Sequence, residues 1–210
     1  KASADRGVPI IHLSTDYVFD GSKAGPYVES DPTAPLGVYG RSKLAGEIAV
    51  AAANPRHLIL RTAWVHSPFG QNFVKTMLRL AGERKSLRVV DDQIGCPTYA
   101  PHLAAAILAV ARQLVGAPVE SPHFGIYHAA GRGEVTWCGL AREIFRCARA
   151  RGGPSAAVEP IPTSGYPTPA ARPANSRLDC GKLEAQLGVA LPDWHEGVEA
   201  CVERILAGTD

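Results

Sequence analysis

Two short apolar runs constrain this chain most: Val8-Pro9-Ile10-Ile11-His12-Leu13 and His57-Leu58-Ile59-Leu60-Arg61-Thr62-Ala63-Trp64-Val65, separated by a loop and a helical stretch. Runs of this length suit strands buried in a parallel sheet, and strand–helix–strand order marks an α/β domain. The pattern continues down the chain. Residues 21–35, punctuated by glycine and proline, read as a loop. Residues 38–53 read as a helix with Lys43 and Glu47 on one face, and residues 72–80 as a second helix. Further strands are expected at 87–90 and 125–129. Helices are expected at 101–114, from a Thr136 cap through Ala150, and at 179–187 and 194–206, the last two separated by Gly188 and Pro192. Lys1 to Gly7 reads as a last helical turn closed by glycine. The Pro/Gly-rich residues 152–173 form either an exposed lobe or the rim of a substrate site.

Composition narrows the partners. With 46% hydrophobic residues in 210, a sizeable core is available. The 22 basic and 20 acidic residues leave a net charge of +2, too weak a field to call for nucleic acid or an anionic membrane. No apolar stretch approaches the ~20 residues of a membrane-spanning helix, and the first residues carry no signal-peptide pattern, so a cytoplasmic protein is expected. Five scattered cysteines without a CxxC pair read as buried free thiols. His195-Glu196-Gly197-Val198-Glu199 places Glu199 where a zinc-binding helix needs its second histidine, and no metal is expected.

The chemistry concentrates in two places. Tyr39 and Lys43 stand four apart near a helix start, on one face, where an ammonium would favour the phenolate and bring a tyrosine toward working pH. Ser14-Thr15-Asp16-Tyr17-Val18-Phe19-Asp20-Gly21 lies at the carboxyl end of the first strand, where open α/β sheets bind ligands, and Thr15 is able to hydrogen-bond a carbonyl oxygen.

Together these segments resemble the extended branch of the short-chain dehydrogenases/reductases. Within it the chain is similar to the dTDP-4-dehydrorhamnose reductase family. The resemblance runs from end to end: Tyr39-Gly40-Arg41-Ser42-Lys43, Arg61-Thr62-Ala63-Trp64-Val65, Asn72-Phe73-Val74-Lys75-Thr76-Met77, Asp92-Gln93-Ile94-Gly95-Cys96-Pro97-Thr98-Tyr99, Tyr127-His128-Ala129-Ala130-Gly131 and Arg172-Pro173-Ala174-Asn175-Ser176-Arg177-Leu178-Asp179. Lys182-Leu183 and Leu191-Pro192-Asp193-Trp194 also fit that family's tail.

The resemblance implies a partial Rossmann-type doubly wound parallel sheet with a smaller C-terminal substrate-binding region. Residues 1–80 would be the C-terminal part of the dinucleotide-binding domain, and 81–210 mainly the substrate region, with segments returning to the core. It also implies NAD(P)H-dependent reduction of the C4 ketone of a dTDP-deoxysugar. Tyr39 would be the proton donor, Lys43 its pKa modulator and a contact for the nicotinamide ribose, and Thr15 would orient the carbonyl. Asp16, Tyr17 and Trp64 would hold the sugar or its nucleotide, and Leu13, Thr62 and Ala63 would line the nicotinamide pocket. Trp64 has a competing role as a core aromatic. Arg172 would pair with the diphosphate, or stand solvated in its loop.

The glycine-rich turn that meets a dinucleotide pyrophosphate after a first strand has no counterpart here. Gly131-Arg132-Gly133-Glu134 comes late, lacks a third glycine and reads as a plain turn. Against a whole Rossmann-type domain, on the order of 90 further residues would be expected ahead of Lys1. Three expectations follow: weak binding of NADPH or NADH, no activity of these residues alone, and an open edge on the first strand ready to pair with another chain. The choice between NADPH and NADH is left open. A homodimer is possible, but Pro101-His102 stands where some relatives carry a metal-linking acid, and no such metal is predicted. Two other readings stay open: a non-catalytic regulatory relative similar to the methionine adenosyltransferase β subunit, and an inactive fragment of a reductase.

Overall fold

The computed structural model describes residues 1–168 and 170–208. Its central sheet is parallel, with β2 (His57–Thr62) between β1 (Ile10–Thr15) and β7 (Gly125–His128). α1 (Ala2–Asp5) precedes the sheet and closes on Gly7 at φ +62°. The long crossover between β1 and β2 carries α2 (Val38–Ala53), whose bounds match the expected ones.

Alternation along β2 sorts the helices to two sides. Leu58 and Leu60 pack with Leu103, Ala106, Val110 and Leu114 of α4 (Ala100–Leu114) and with Leu183 and Leu187 of α6 (Gly181–Leu187). Arg61, one step out of phase, meets Glu47 of α2. A side-chain period of two therefore makes the sheet doubly wound.

Two expectations need correction here. β1 was expected to be buried, yet Ile10 to His12 are half-buried and Leu13 is 41% exposed. It pairs with β2 alone among the described residues, so only one edge is covered. The run from His57 to Val65 is not one strand. It breaks after Thr62, and β3 (Val65–His66) pairs instead with β6 (Thr98–Tyr99). The break falls at Trp64, whose φ of +46° lies in the left-handed region that a bulky residue rarely enters.

A second cluster gathers α3 (Phe73–Glu83), β4 (Ser86–Val90), α5 (Trp137–Arg149), β9 (Ala157–Ile161) and α7 (Trp194–Leu206). α5 is buried along Cys138, Leu140, Ala141, Ile144, Phe145, Cys147 and Ala148, and Thr136 caps it by accepting from the Gly139 N–H at 3.0 Å. β9 pairs in parallel with β4 and lies inside residues 152–173, which are thus part strand rather than wholly loop. Between the two clusters, β5 (Ile94–Gly95) pairs with β8 (Val135–Thr136) on one side and β10 (Asn175–Ser176) on the other. All five cysteines are free, four of them buried and Cys180 half-buried. No helix among the described residues is long and apolar enough to cross a membrane.

Candidate active site

The site forms where β1 ends. The chain leaves the sheet at Thr15 and enters a single 3-10 turn over Asp16–Val18, capped by the Thr15 hydroxyl, which accepts from the Tyr17 N–H at 3.2 Å. α2 is pressed against this turn: a Cβ on Gly40 would lie 2.1 Å from the Tyr17 carbonyl oxygen. Only glycine permits that approach. Tyr39, the residue before it, therefore stands beside the turn, its ring edge-on to Tyr17 at 5.7 Å between centroids. The Tyr39 side chain is open to solvent, with the residue 57% exposed.

Lys43, one helical turn on, donates from Nζ to the Leu13 carbonyl oxygen at 2.5 Å, which ties α2 to the end of β1. A second turn on, Glu47 forms a two-pronged pair with Arg61: Nε to Oε1 at 3.0 Å and Nη2 to Oε2 at 2.7 Å, with both side chains 3% exposed. The Arg61 guanidinium also lies 5.1 Å from the Phe19 ring centroid. Tyr39, Lys43 and Glu47 thus share one face of α2, and sequence reasoning found the last of them without its partner on β2.

Thr15 and Asp16 are both buried. The Thr15 hydroxyl donates to Asp16 Oδ1 at 2.8 Å, while Oδ2 has no hydrogen-bond partner. Burial pushes the Asp16 carboxyl up to about 6, against the opposing pull of the Ser176 and Thr15 hydroxyls and nearby backbone amides. Ser176 comes from β10 and was not among the expected site residues. The tail reaches this point because Pro173 packs on Gly21, and because Asn175 Nδ2 donates to the carbonyls of Lys23 and Gly25 at 2.7 and 2.8 Å. Burial also raises the Tyr17 phenol, as does the Asp16 charge, while Arg172 lowers it.

The remaining expected residues spread outward from this turn. Thr62 ends β2 opposite Thr15, and its Oγ1 is buried without a hydrogen-bond partner. Ala63 is buried in the small cluster around Phe19 and Tyr27. Trp64 lies half-buried against Gly95, where a Cβ would come within 2.4 Å of its ring. It stacks on Trp137 with centroids 3.5 Å apart and planes 8° from parallel. Trp137 Nε1 donates to Gln93 Oε1 at 3.2 Å, and Gln93 Nε2 donates to Thr163 Oγ1 at 3.0 Å. Both of these partners escaped the sequence reading.

Trp137 and Arg172 also line a cavity of about 530 Å³, with Phe73, Leu87, Arg88 and Tyr166 among its walls. It adjoins the strand end through the Trp64–Trp137 stack. Gly131 and Gly133 play no part in it. A Cβ on Gly131 would meet the Pro97 carbonyl at 2.1 Å, and Gly133, at φ +91°, turns against Trp194.

A buried threonine at a parallel strand's carboxyl end, with a Tyr-x-x-x-Lys helix locked against it, sits here on the parallel α/β fold of an extended short-chain dehydrogenase/reductase. The sequence pattern described as RmlD substrate binding domain matches residues 1–207. A dTDP-4-dehydrorhamnose reductase of Sinorhizobium fredii is 51% identical over 206 residues, covering 98% of this chain and 69% of the relative. The chain belongs to the dTDP-4-dehydrorhamnose reductase family.

Solved structures agree. A dTDP-4-dehydrorhamnose reductase from Clostridium acetobutylicum superimposes with a TM-score of 0.88 at 36% identity, covering 98% of this chain and 69% of that one. One from Bacillus anthracis, solved in complex with NADP, gives 0.86 at 35% identity, with 99% and 68% covered.

Proposed function

We propose that these residues carry the catalytic and substrate-binding side of an NAD(P)H-dependent oxidoreductase, which reduces the C4 ketone of dTDP-4-dehydro-L-rhamnose to the alcohol of dTDP-L-rhamnose. The observation that carries this reading is the locked geometry of α2 on the strand end: Gly40 against Tyr17 and Lys43 on Leu13.

The residues present suit a nicotinamide cofactor. Leu13 and Tyr39 are exposed beside Lys43, and the orphaned Thr62 hydroxyl waits at the adjacent strand end. Leu13, Tyr39, Lys43, Thr62 and Ala63 would hold it, and when bound it supplies the hydride that adds to C4. Tyr39 gives its phenolic proton to the C4 oxygen as that oxygen takes up the electron pair of the carbonyl, so the ketone gains a hydride and a proton. Lys43 steadies the resulting phenolate by its charge. Thr15 orients the carbonyl, and Tyr17 and Trp64, with Asp16 buried behind Thr15, shape the place of the sugar or its nucleotide.

The cavity is the nucleotide's place. Its volume falls within the range of roughly 300–1,000 Å³ for small-ligand sites. Phe73, Leu87 and Trp137 offer an apolar and aromatic wall for a base, and the guanidinium of Arg172 offers a fork for the diphosphate. The β1-β2-β7 sheet then faces the dinucleotide, and the cluster around α3, α5 and α7 faces the sugar nucleotide. Five unpaired thiols accord with a reducing cytoplasm.

The test is to incubate the complete gene product with dTDP-4-dehydro-L-rhamnose and NADPH carrying deuterium at the transferred position. The expected product is dTDP-L-rhamnose with deuterium on C4. Deuterium at another carbon, or no reduction, contradicts the reading.

A further inference from the structure

Counting hydrogens at Thr15 exposes a conflict. A threonine hydroxyl has one hydrogen to give and two lone pairs to receive. Here one lone pair takes the Tyr17 N–H, and the hydrogen goes to Asp16 Oδ1 at 2.8 Å. A ketone oxygen only accepts, so Thr15 in this state has nothing to offer a C4 carbonyl. An ionised Asp16 and the substrate compete for one hydrogen.

A protonated Asp16 removes the competition. Its own carboxyl hydrogen then fills the second lone pair of Thr15, and the threonine hydrogen is released toward the ketone. Every hydrogen-bonding position on the hydroxyl is then used. We propose that Asp16 is a positioning residue whose protonation turns the Thr15 hydroxyl from the carboxylate to the substrate carbonyl. This rests on Thr15 being the residue that orients the carbonyl.

The surroundings make such a change possible. Asp16 is 3% exposed, and its Oδ2 has no hydrogen-bond partner. The groups that face it are Thr15 and Tyr17 from its own turn, Ser176 from β10, and Cys96 from the segment after β5, whose thiol it pushes up further. None of them is a cation, and Arg172 acts on Tyr17 instead. Burial without a counter-charge favours the neutral carboxyl and brings its proton within reach of neutral pH. The 2.8 Å bond also makes the ionised state costly to override, because turning Thr15 away would leave a buried carboxylate with the Ser176 hydroxyl alone as a side-chain partner.

The experiment compares kcat/KM of wild-type protein and Thr15→Val between about pH 5 and about pH 8, with Asp16→Asn measured alongside. Taking the wild-type to Thr15→Val ratio cancels every pH effect that the two proteins share. The ratio should be largest at low pH and fall roughly tenfold per pH unit above about pH 6. Asp16→Asn should lack the fall in kcat/KM that this titration gives wild type. A ratio well above one but flat with pH overturns the role of Asp16 and leaves Thr15 as the orienting group. A ratio of one throughout overturns both. If Asp16→Asn does not fold, the ratio alone decides; if Thr15→Val does not, parallel wild-type and Asp16→Asn profiles overturn the proposal.

Discussion

Gly40 and Tyr17 are in backbone contact: a Cβ on the glycine would lie 2.1 Å from the tyrosine carbonyl oxygen and 2.9 Å from Pro35 Cβ. The first turn of α2 is therefore seated on the strand-end turn without a side chain between them. Gly40→Ala brings two opposed effects. Helix propensity gains about 1 kcal/mol, but the clash with fixed backbone costs about 1–3 kcal/mol and forces α2 outward. The clash wins. Turnover should fall about a hundredfold, because a shift of ~1 Å at Tyr39 is enough to lose alignment. Steady-state kinetics and urea unfolding check this, and an unchanged kcat would mean that α2 need not sit so close.

The Glu47–Arg61 pair holds the same helix from below. Both side chains are 3% exposed, so removing one partner leaves an uncompensated buried charge. Glu47→Ala should destabilise the protein by about 3–5 kcal/mol in chemical denaturation. The exposed Arg79–Glu83 pair on α3, at 63% and 53% exposure, is the control, and Arg79→Ala should leave stability unchanged.

Buried titratable groups set opposite pH limits on stability. Burial brings His66 down to about 4 and His128 down to about 3 from an ordinary 6.5. Their stabilising share is full above about pH 6.5 and is lost as pH falls through those values, about 3 kcal/mol for His66 alone. Asp16 works the other way. Raised from 3.8 to about 6, it contributes fully below pH 3.8, and that contribution is lost as pH rises through about 6. Asp16→Asn should therefore stabilise the protein at pH 7 by about 3 kcal/mol and leave it little changed near pH 4. Unfolding free energies that rise on acidification from pH 6 to pH 4 in that variant would contradict the histidine contribution.

The Trp64–Trp137 stack joins the strand end to the cavity. Two indoles 3.5 Å apart and nearly parallel should couple in the near-ultraviolet, giving a paired circular-dichroism band that Trp137→Ala abolishes. Such a stack contributes about 0.5–1.5 kcal/mol beyond burial, so KM for the nucleotide sugar should rise by up to about tenfold with kcat less affected. A lost band with unchanged KM would confine the stack to folding.

The helices were legible because periodicity and capping are local signals. α2 begins and ends where its composition changes, and Thr136 caps α5 by the hydroxyl bond expected of it. The two-residue strands β5, β6, β8 and β10 were not legible, since two residues show no alternation and Asn175 finds its partner Ile94 far away in sequence. β9 hid behind Pro160, which an edge strand tolerates. The break at Trp64 left no mark in the sequence, because its positive φ is imposed by packing on Gly95 and Trp137. At the site, the neighbours along one turn of chain, Thr15 to Tyr17, could be read directly. Ser176, Gln93 and Trp137 reach it only through tertiary contacts.

The most direct measurement is turnover of dTDP-4-dehydro-L-rhamnose with NADPH by the complete gene product, wild type against Tyr39→Phe, with binding of the sugar nucleotide measured in parallel. Phe keeps the edge-on ring beside Tyr17 and removes only the hydroxyl, so binding should persist while kcat falls about 10²–10⁴-fold. An unchanged kcat in Tyr39→Phe would contradict Tyr39 as the proton donor and the account built on it.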